Sequence, residues 1–167
     1  MQLFLLRHAE AESAAATDET RTLTARGSKQ ARSIGKFCLE HGVVPRLILS
    51  SPLMRAEQTA RLVADELDSP KLVQISEFLR AGMSAQRALP SLSENFADLM
   101  KREKHSEAAA SIMLVGHEPD FSNLAGVLIG GLATSVHFRK ATLMGLRLQE
   151  LKPGAATVEF LIPVKWV

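Results

Sequence analysis

The 167 residues suffice for one domain with a buried core, and we expect a single domain over residues 1–167. The net charge of +2 and the absence of a run of Lys or Arg argue against nucleic-acid binding. Cys38 is the only cysteine, so an internal disulfide and a cysteine metal cluster are excluded. No signal peptide is indicated, and no uncharged stretch reaches the ~18 residues of a membrane span. We therefore expect a cytoplasmic protein with no membrane contact.

The predicted elements alternate between strands and helices. Buried strands are predicted over residues 3–6, 46–50, 71–75 and 111–116, and two further strands over 141–150 and 157–166. Helices are predicted between the cap Thr24 and the stop Gly42, over residues 54–67 and 121–131, and from near Pro90 onward. This order predicts an α/β fold, a three-layer sandwich with helices on both faces of a mainly parallel sheet. The last two strands suit an antiparallel edge.

Three of the predicted strands end on residues that carry chemistry. The first ends on Arg7 and His8, the second is followed by Ser51 and Arg55, and the fourth ends before His117. Ligands of open α/β sheets bind outside the carboxyl ends of the strands. We therefore expect two arginines and two histidines, more than a hundred residues apart in sequence, to meet at one edge of the sheet.

Such a group suits a phosphate. Each guanidinium can donate two parallel hydrogen bonds to neighbouring oxygens, and helix N-termini add free N–H groups. A neutral imidazole can attack phosphorus in line, and we expect a second imidazole, protonated by anionic surroundings, to stabilise charge on the equatorial oxygens.

Four segments carry a resemblance to a known family. "LFLLRHAEAE", "LSSPLMRAEQTA" and "LVGHEPD" resemble, in order and spacing, the signature segments of the histidine phosphatase (phosphoglycerate mutase-like) superfamily. "DETRTLTARGSKQA" resembles a stretch of its small bacterial phosphohistidine phosphatase branch, the SixA type. The resemblance covers roughly residues 1–165 and implies the phosphoglycerate mutase-like fold.

The resemblance also implies roles for individual residues. His8 would be the nucleophile that forms a phosphohistidine intermediate, which water then hydrolyses. Arg7, Arg55 and His117 would bind the phosphoryl group, and Arg21 would be a further contact to phosphate or substrate, with an ordinary loop salt bridge as the alternative. No metal and no cofactor are implied.

Some positions depart from the family pattern or stay open. Ala9 stands where the family has glycine. Glu77 is the best positional candidate for the proton donor that mutase-like members carry after the third strand, and Glu118 and Glu10 are weaker candidates. Ser51 is read either as a helix-start residue or as a phosphate contact.

Three functions remain in competition. The leading hypothesis is a phosphatase that acts on phosphohistidine in proteins, for example in histidine phosphotransfer domains, and releases inorganic phosphate. The second is a phosphomonoesterase for small phosphorylated molecules. The third is a module that binds phosphorylated partners without turnover; the intact set of two arginines and two histidines argues against it. An imidazole leaves far more easily than an alkoxide, so the lack of an obvious acid favours the first hypothesis.

Overall fold

The computed structural model describes residues 1–102, 110–132 and 136–167. The strands of this part of the chain are β1 (Gln2–Arg7), β2 (Leu47–Ser50), β3 (Val73–Ile75), β4 (Ser111–Gly116), β5 (Thr142–Leu148) and β6 (Ala156–Pro163). Its α-helices are α1 (Ala25–Glu40), α2 (Met54–Glu66), α3 (Ala85–Arg102) and α4 (Asp120–Ile129). None of the described helices is both long and apolar enough to cross a bilayer.

The six strands form one sheet in the order β3-β2-β4-β1-β5-β6. The first four are mutually parallel, whereas β5 is antiparallel to both β1 and β6. The α/β class and the antiparallel edge formed by the last two strands are thus confirmed. Because four strands point the same way, their carboxyl ends lie along one edge of the sheet.

Helices cover both faces of this sheet, as the strand sequences require. In β1, Leu3 and Leu5 pack into the core under α3 and α4, while Phe4 and Leu6 pack into the core under α1 and α2. Side chains alternate between the faces of a strand, so a continuous apolar run such as residues 3–6 serves both cores at once. The central strand is therefore held from both sides, and the residues that follow it are rigidly placed.

Several predicted element boundaries are wrong; the last strand, for example, ends at Pro163 rather than at residue 166, because Val164–Trp166 forms a 3₁₀ turn. Helix α3 begins at Ala85, so Pro90 is its sixth residue rather than lying near its start. The carbonyl of Ser84 already accepts hydrogen bonds from the N–H groups of Arg87 (3.1 Å) and Ala88 (3.0 Å), which closes a first turn upstream of the proline. Strand β3 is shorter than the predicted residues 71–75, because Pro70–Leu72 forms a 3₁₀ turn.

Candidate active site

The register of the sheet brings the three strand ends together. Arg7 is paired with Gly116 across β1 and β4, and Ser50 is paired with Val115 across β2 and β4. The pairing continues one residue beyond each strand, because His8 N donates to the Gly116 carbonyl (2.9 Å). The edge at which we expected the site is therefore held by backbone hydrogen bonds on both sides of β4.

His8 has a defined tautomer. Its Nδ1 lies 2.7 Å from the carbonyl oxygen of Ala9, and a carbonyl only accepts, so Nδ1 carries the proton. The Nε2 lone pair is then free to act as a nucleophile. Burial, with smaller contributions from His117, Arg55 and Arg7, lowers the pKa of His8 to about 3, against the opposing effect of the hydrogen bond to Ala9. The imidazole is therefore neutral at pH 7.

The residue after His8 explains why glycine is not needed there. Ala9 is fully buried and its backbone has no positive φ, so its methyl group fits the core under α1 and α2. Its N–H donates to the Thr59 hydroxyl (3.1 Å), which itself donates to the carbonyl of Arg55 (2.7 Å). Thr59 thus ties the turn after His8 to the helix that carries Arg55.

Arg7 is anchored by the chain that leads into β5. Its Nη1 donates to the Phe138 carbonyl (2.7 Å), and its buried Nε has no hydrogen-bond partner among the described residues. An unpaired buried guanidinium N–H is costly, so this group indicates where an anion would be bound.

Arg55 is buried and faces a carboxylate that the sequence did not single out. Its Nη1 donates to the Asp18 carbonyl (2.7 Å) and its Nη2 to the Asp18 carboxylate (3.0 Å). Arg21 donates to the other oxygen of the same carboxylate (2.9 Å) and to the carbonyl of Glu12 (2.6 Å). The hydrogen bonds from the two arginines lower the pKa of Asp18, so it stays ionised. Arg21 therefore reaches the site through Asp18. In the sequence, Asp18 is the first residue of the segment "DETRTLTARGSKQA" and lies three residues before Arg21.

His117 stands beside His8, with 5.3 Å between the ring centroids. Its Nε2 lies 2.8 Å from the Ser51 hydroxyl, and its buried Nδ1 has no partner among the described residues. Burial and the charge of Arg55 lower the pKa of His117 to about 4. The second imidazole is therefore neutral in this structure, chiefly because it is buried, and its protonation beside a bound phosphate stays a prediction.

The three candidate proton donors lie in different settings. Glu77 is exposed and pairs with Arg80 (3.0 Å), and no described hydrogen bond or ion pair links it to either histidine of the site. Glu118 accepts from the N–H groups of Ser122 (3.1 Å) and Phe138 (3.2 Å), which makes it a helix-start carboxylate. Glu10 accepts a hydrogen bond from the hydroxyl of Thr24 (3.0 Å), the residue that caps α1. The role of Glu77 as acid stays a prediction.

Two arginines and two neutral histidines, with the buried Nε of Arg7 and Nδ1 of His117 left unpaired among the described residues, form a group suited to bind a phosphate at the edge of an α/β sheet. A family model of the histidine phosphatase superfamily (branch 1) matches residues 3–112, which is more than half of the chain. The chain belongs to this superfamily, as its sequence segments indicate, and it is a phosphatase of the histidine phosphatase type.

Individual relatives agree with this assignment. Phosphohistidine phosphatase SixA of Escherichia coli is 28% identical over 161 residues, which cover 92% of this chain and 89% of that protein. The mitochondrial serine/threonine-protein phosphatase Pgam5 of Drosophila persimilis is 38% identical over 81 residues, 48% of this chain but only 28% of that protein. A structure of the protein histidine phosphatase SixA complexed with tungstate matches with a TM-score of 0.84 and 25% identity, covering 99% of this chain and 98% of that one.

Proposed function

We propose that the protein hydrolyses phosphohistidine in phosphorylated proteins, with His8 as the nucleophile. The observation that carries this proposal is the hydrogen bond from His8 Nδ1 to the Ala9 carbonyl, because it leaves the Nε2 lone pair free beside Arg7, Arg55 and His117. The match to a structure of SixA complexed with tungstate, a tetrahedral oxyanion like phosphate, supports the binding of such an anion by this fold.

The reaction has two steps. In the first, Nε2 of His8 attacks phosphorus, the P–N bond of the substrate breaks, and the leaving imidazole keeps that electron pair and takes up a proton from solvent. Arg7 and Arg55 bind the phosphoryl oxygens and His117 donates a hydrogen bond to one of them as charge shifts. In the second, water attacks phosphorus, the bond to Nε2 breaks, and inorganic phosphate leaves with His8 restored.

The connection after β3 favours a protein substrate. Residues 76–84, only nine, join Ile75 to Ala85, and they include the short 3₁₀ turn Glu77–Leu79. So short a segment has no room for a large cap, as expected of an enzyme that acts on a side chain of another protein. The exposed, ion-paired state of Glu77 agrees with a leaving group that needs no dedicated acid.

Trapping of the intermediate tests the nucleophile. We expect brief incubation with a labelled phosphohistidine protein to leave label on His8 that survives base and is lost in acid. The variant His8→Asn should carry no label and show no turnover. The control His41→Asn, at the exposed residue that directly follows α1, should behave as the parent. Turnover that persists in His8→Asn without a labelled intermediate would overturn the proposal. Phosphate binding without any turnover in the parent would instead indicate a non-catalytic module.

The choice of substrate is tested by comparing the phosphohistidine protein with a simple phosphate ester. We expect a higher kcat/KM for the phosphohistidine protein, and little effect of Glu77→Gln on it. A preference for the ester that Glu77→Gln abolishes would favour a small-molecule phosphomonoesterase and would give Glu77 the role of acid.

A further inference from the structure

Ser51 lies outside the proposed catalytic group but is hydrogen-bonded to one of its members, His117. It follows β2, its side chain is fully buried, and its N–H extends the sheet by donating to the Val115 carbonyl (2.9 Å). Its hydroxyl has two neighbours: the N–H of Leu53, which donates to it at 3.3 Å, and Nε2 of His117 at 2.8 Å.

The direction of the hydrogen bond to His117 follows from counting protons. Ser51 has one hydroxyl proton, and Leu53 already uses the oxygen as an acceptor. If Nε2 of His117 also donated to that oxygen, the hydroxyl proton would have no acceptor among the described residues, which is costly for a buried group. If Ser51 donates to Nε2, only the proton on Nδ1 of His117 lacks a partner among the described residues, whereas the reverse direction leaves both the hydroxyl proton and the Nδ1 lone pair unpaired.

We infer that Ser51 is a positioning residue that holds His117 in the tautomer with its proton on Nδ1, the ring nitrogen that binds the phosphoryl group. This inference rests on the proposed function for its consequence but not for its geometry. Nδ1 of His117 is buried and has no partner among the described residues, so it is the nitrogen left to donate to a phosphoryl oxygen. The neutral ring makes the tautomer decisive, because a neutral imidazole has only one N–H to donate.

The simpler alternative is that Ser51 only shapes the turn into α2. Its contact with the N–H of Leu53 fits that role, and α2 has no side-chain cap at Leu53 itself. The two roles differ in one measurable property: a turn residue has no influence on which nitrogen of His117 is protonated.

The test is ¹⁵N NMR of the histidine side chains near neutral pH, without substrate. His117→Asn identifies the signals of His117. In the parent we expect Nδ1 of His117 in the protonated range and Nε2 in the unprotonated range. In Ser51→Ala we expect a mixture of tautomers. Ser50→Ala is the matched control, since Ser50 is also buried but its hydroxyl donates to the Ser51 carbonyl (3.0 Å) instead; it should keep the parent's tautomer.

Binding of inorganic phosphate gives a second readout. We expect Ser51→Ala to bind phosphate about tenfold more weakly than the parent, the effect of one misdirected hydrogen bond to a charged group. A proton on Nε2 in the parent, or an unchanged tautomer in Ser51→Ala, would overturn the inference, and the first result stands even if the variant folds poorly. The tautomer is measured on the protein without substrate, so this result would stand even if the proposed hydrolysis of phosphohistidine were refuted.

Discussion

A fall in pH should destabilise this protein through its two site histidines. Both are neutral in the folded structure, with pKa values lowered by burial to about 3 for His8 and about 4 for His117. An unfolded chain titrates its histidines near 6.5. Below that pH the unfolded state takes up protons that the folded state does not, so the stability present at higher pH is lost as the pH falls.

The size of the effect does not depend on the exact folded pKa values. At about pH 5 an unfolded histidine with a pKa near 6.5 is more than nine-tenths protonated, and its proton uptake favours unfolding by about 2 kcal/mol. Both folded histidines are still largely neutral at that pH. Together they should lower the free energy of unfolding by about 4 kcal/mol between about pH 7.5 and pH 5.

Urea unfolding followed by far-ultraviolet circular dichroism measures this change. We expect His8→Asn and His117→Asn each to lose about 2 kcal/mol less than the parent over that pH interval. Asp18 and Asp120, whose pKa values are also shifted, are present in each protein, so their contributions cancel in the comparison. His41→Asn provides a control, because His41 is exposed rather than buried.

The reasoning would be refuted if the parent and His8→Asn lost the same free energy of unfolding on acidification. That outcome would mean that His8 is protonated as readily in the folded protein as in the unfolded chain. A free Nε2 lone pair at neutral pH would then no longer follow from the structure.

Three further predictions concern the surroundings of these histidines. Arg55→Lys should lower kcat/KM at least a hundredfold, because an ammonium cannot reproduce the fork that binds phosphate oxygens; a near-normal value would contradict this. Asp18→Asn should tighten inorganic phosphate binding about threefold in calorimetry, a small effect because water screens this exposed carboxylate; weaker binding would mean that its charge mainly holds Arg55. Gly27→Ala should destabilise by more than about 2 kcal/mol in urea unfolding, because the new Cβ would lie 1.9 Å from the Glu10 carbonyl oxygen; unchanged stability would show that this backbone can shift.

The fold could be predicted where local sequence rules and tertiary packing agree. Thr24 does cap α1, with its hydroxyl accepting from the Gly27 N–H (2.9 Å), and Gly42, in the left-handed conformation, follows the end of the helix. The predicted position of Pro90 was wrong because a proline inside a helix is disfavoured by its missing N–H. In the structure Pro90 is exposed inside α3, and the buried apolar side of that helix stabilises it.

The site could be predicted only in part. Positions at strand ends were sufficient to bring Arg7, His8 and His117 to one edge, since parallel strands share that edge. Asp18 was missed because it lies in a loop of irregular structure, where no periodicity reports which side chain points inward. The neutral state of His117 in the structure could not be predicted, because it depends on burial and on charge, which is a sum over residues from several elements that a linear sequence does not reveal.

That sum explains how one set of charges serves two purposes. Arg7 and Arg55 bring positive charge to the phosphate site, and the same charges, together with burial, lower the pKa of His8. A nucleophile in this position must be neutral before the phosphate arrives, and burial, with help from the arginines, keeps it so. Asp18 offsets part of the positive charge that acts on His117, but it is not among the groups that shift the pKa of His8. A carboxylate placed nearer to His8 would favour its protonation and remove the lone pair; Asp18 instead pairs with Arg21 and Arg55, and Glu118 accepts from the N–H of Ser122.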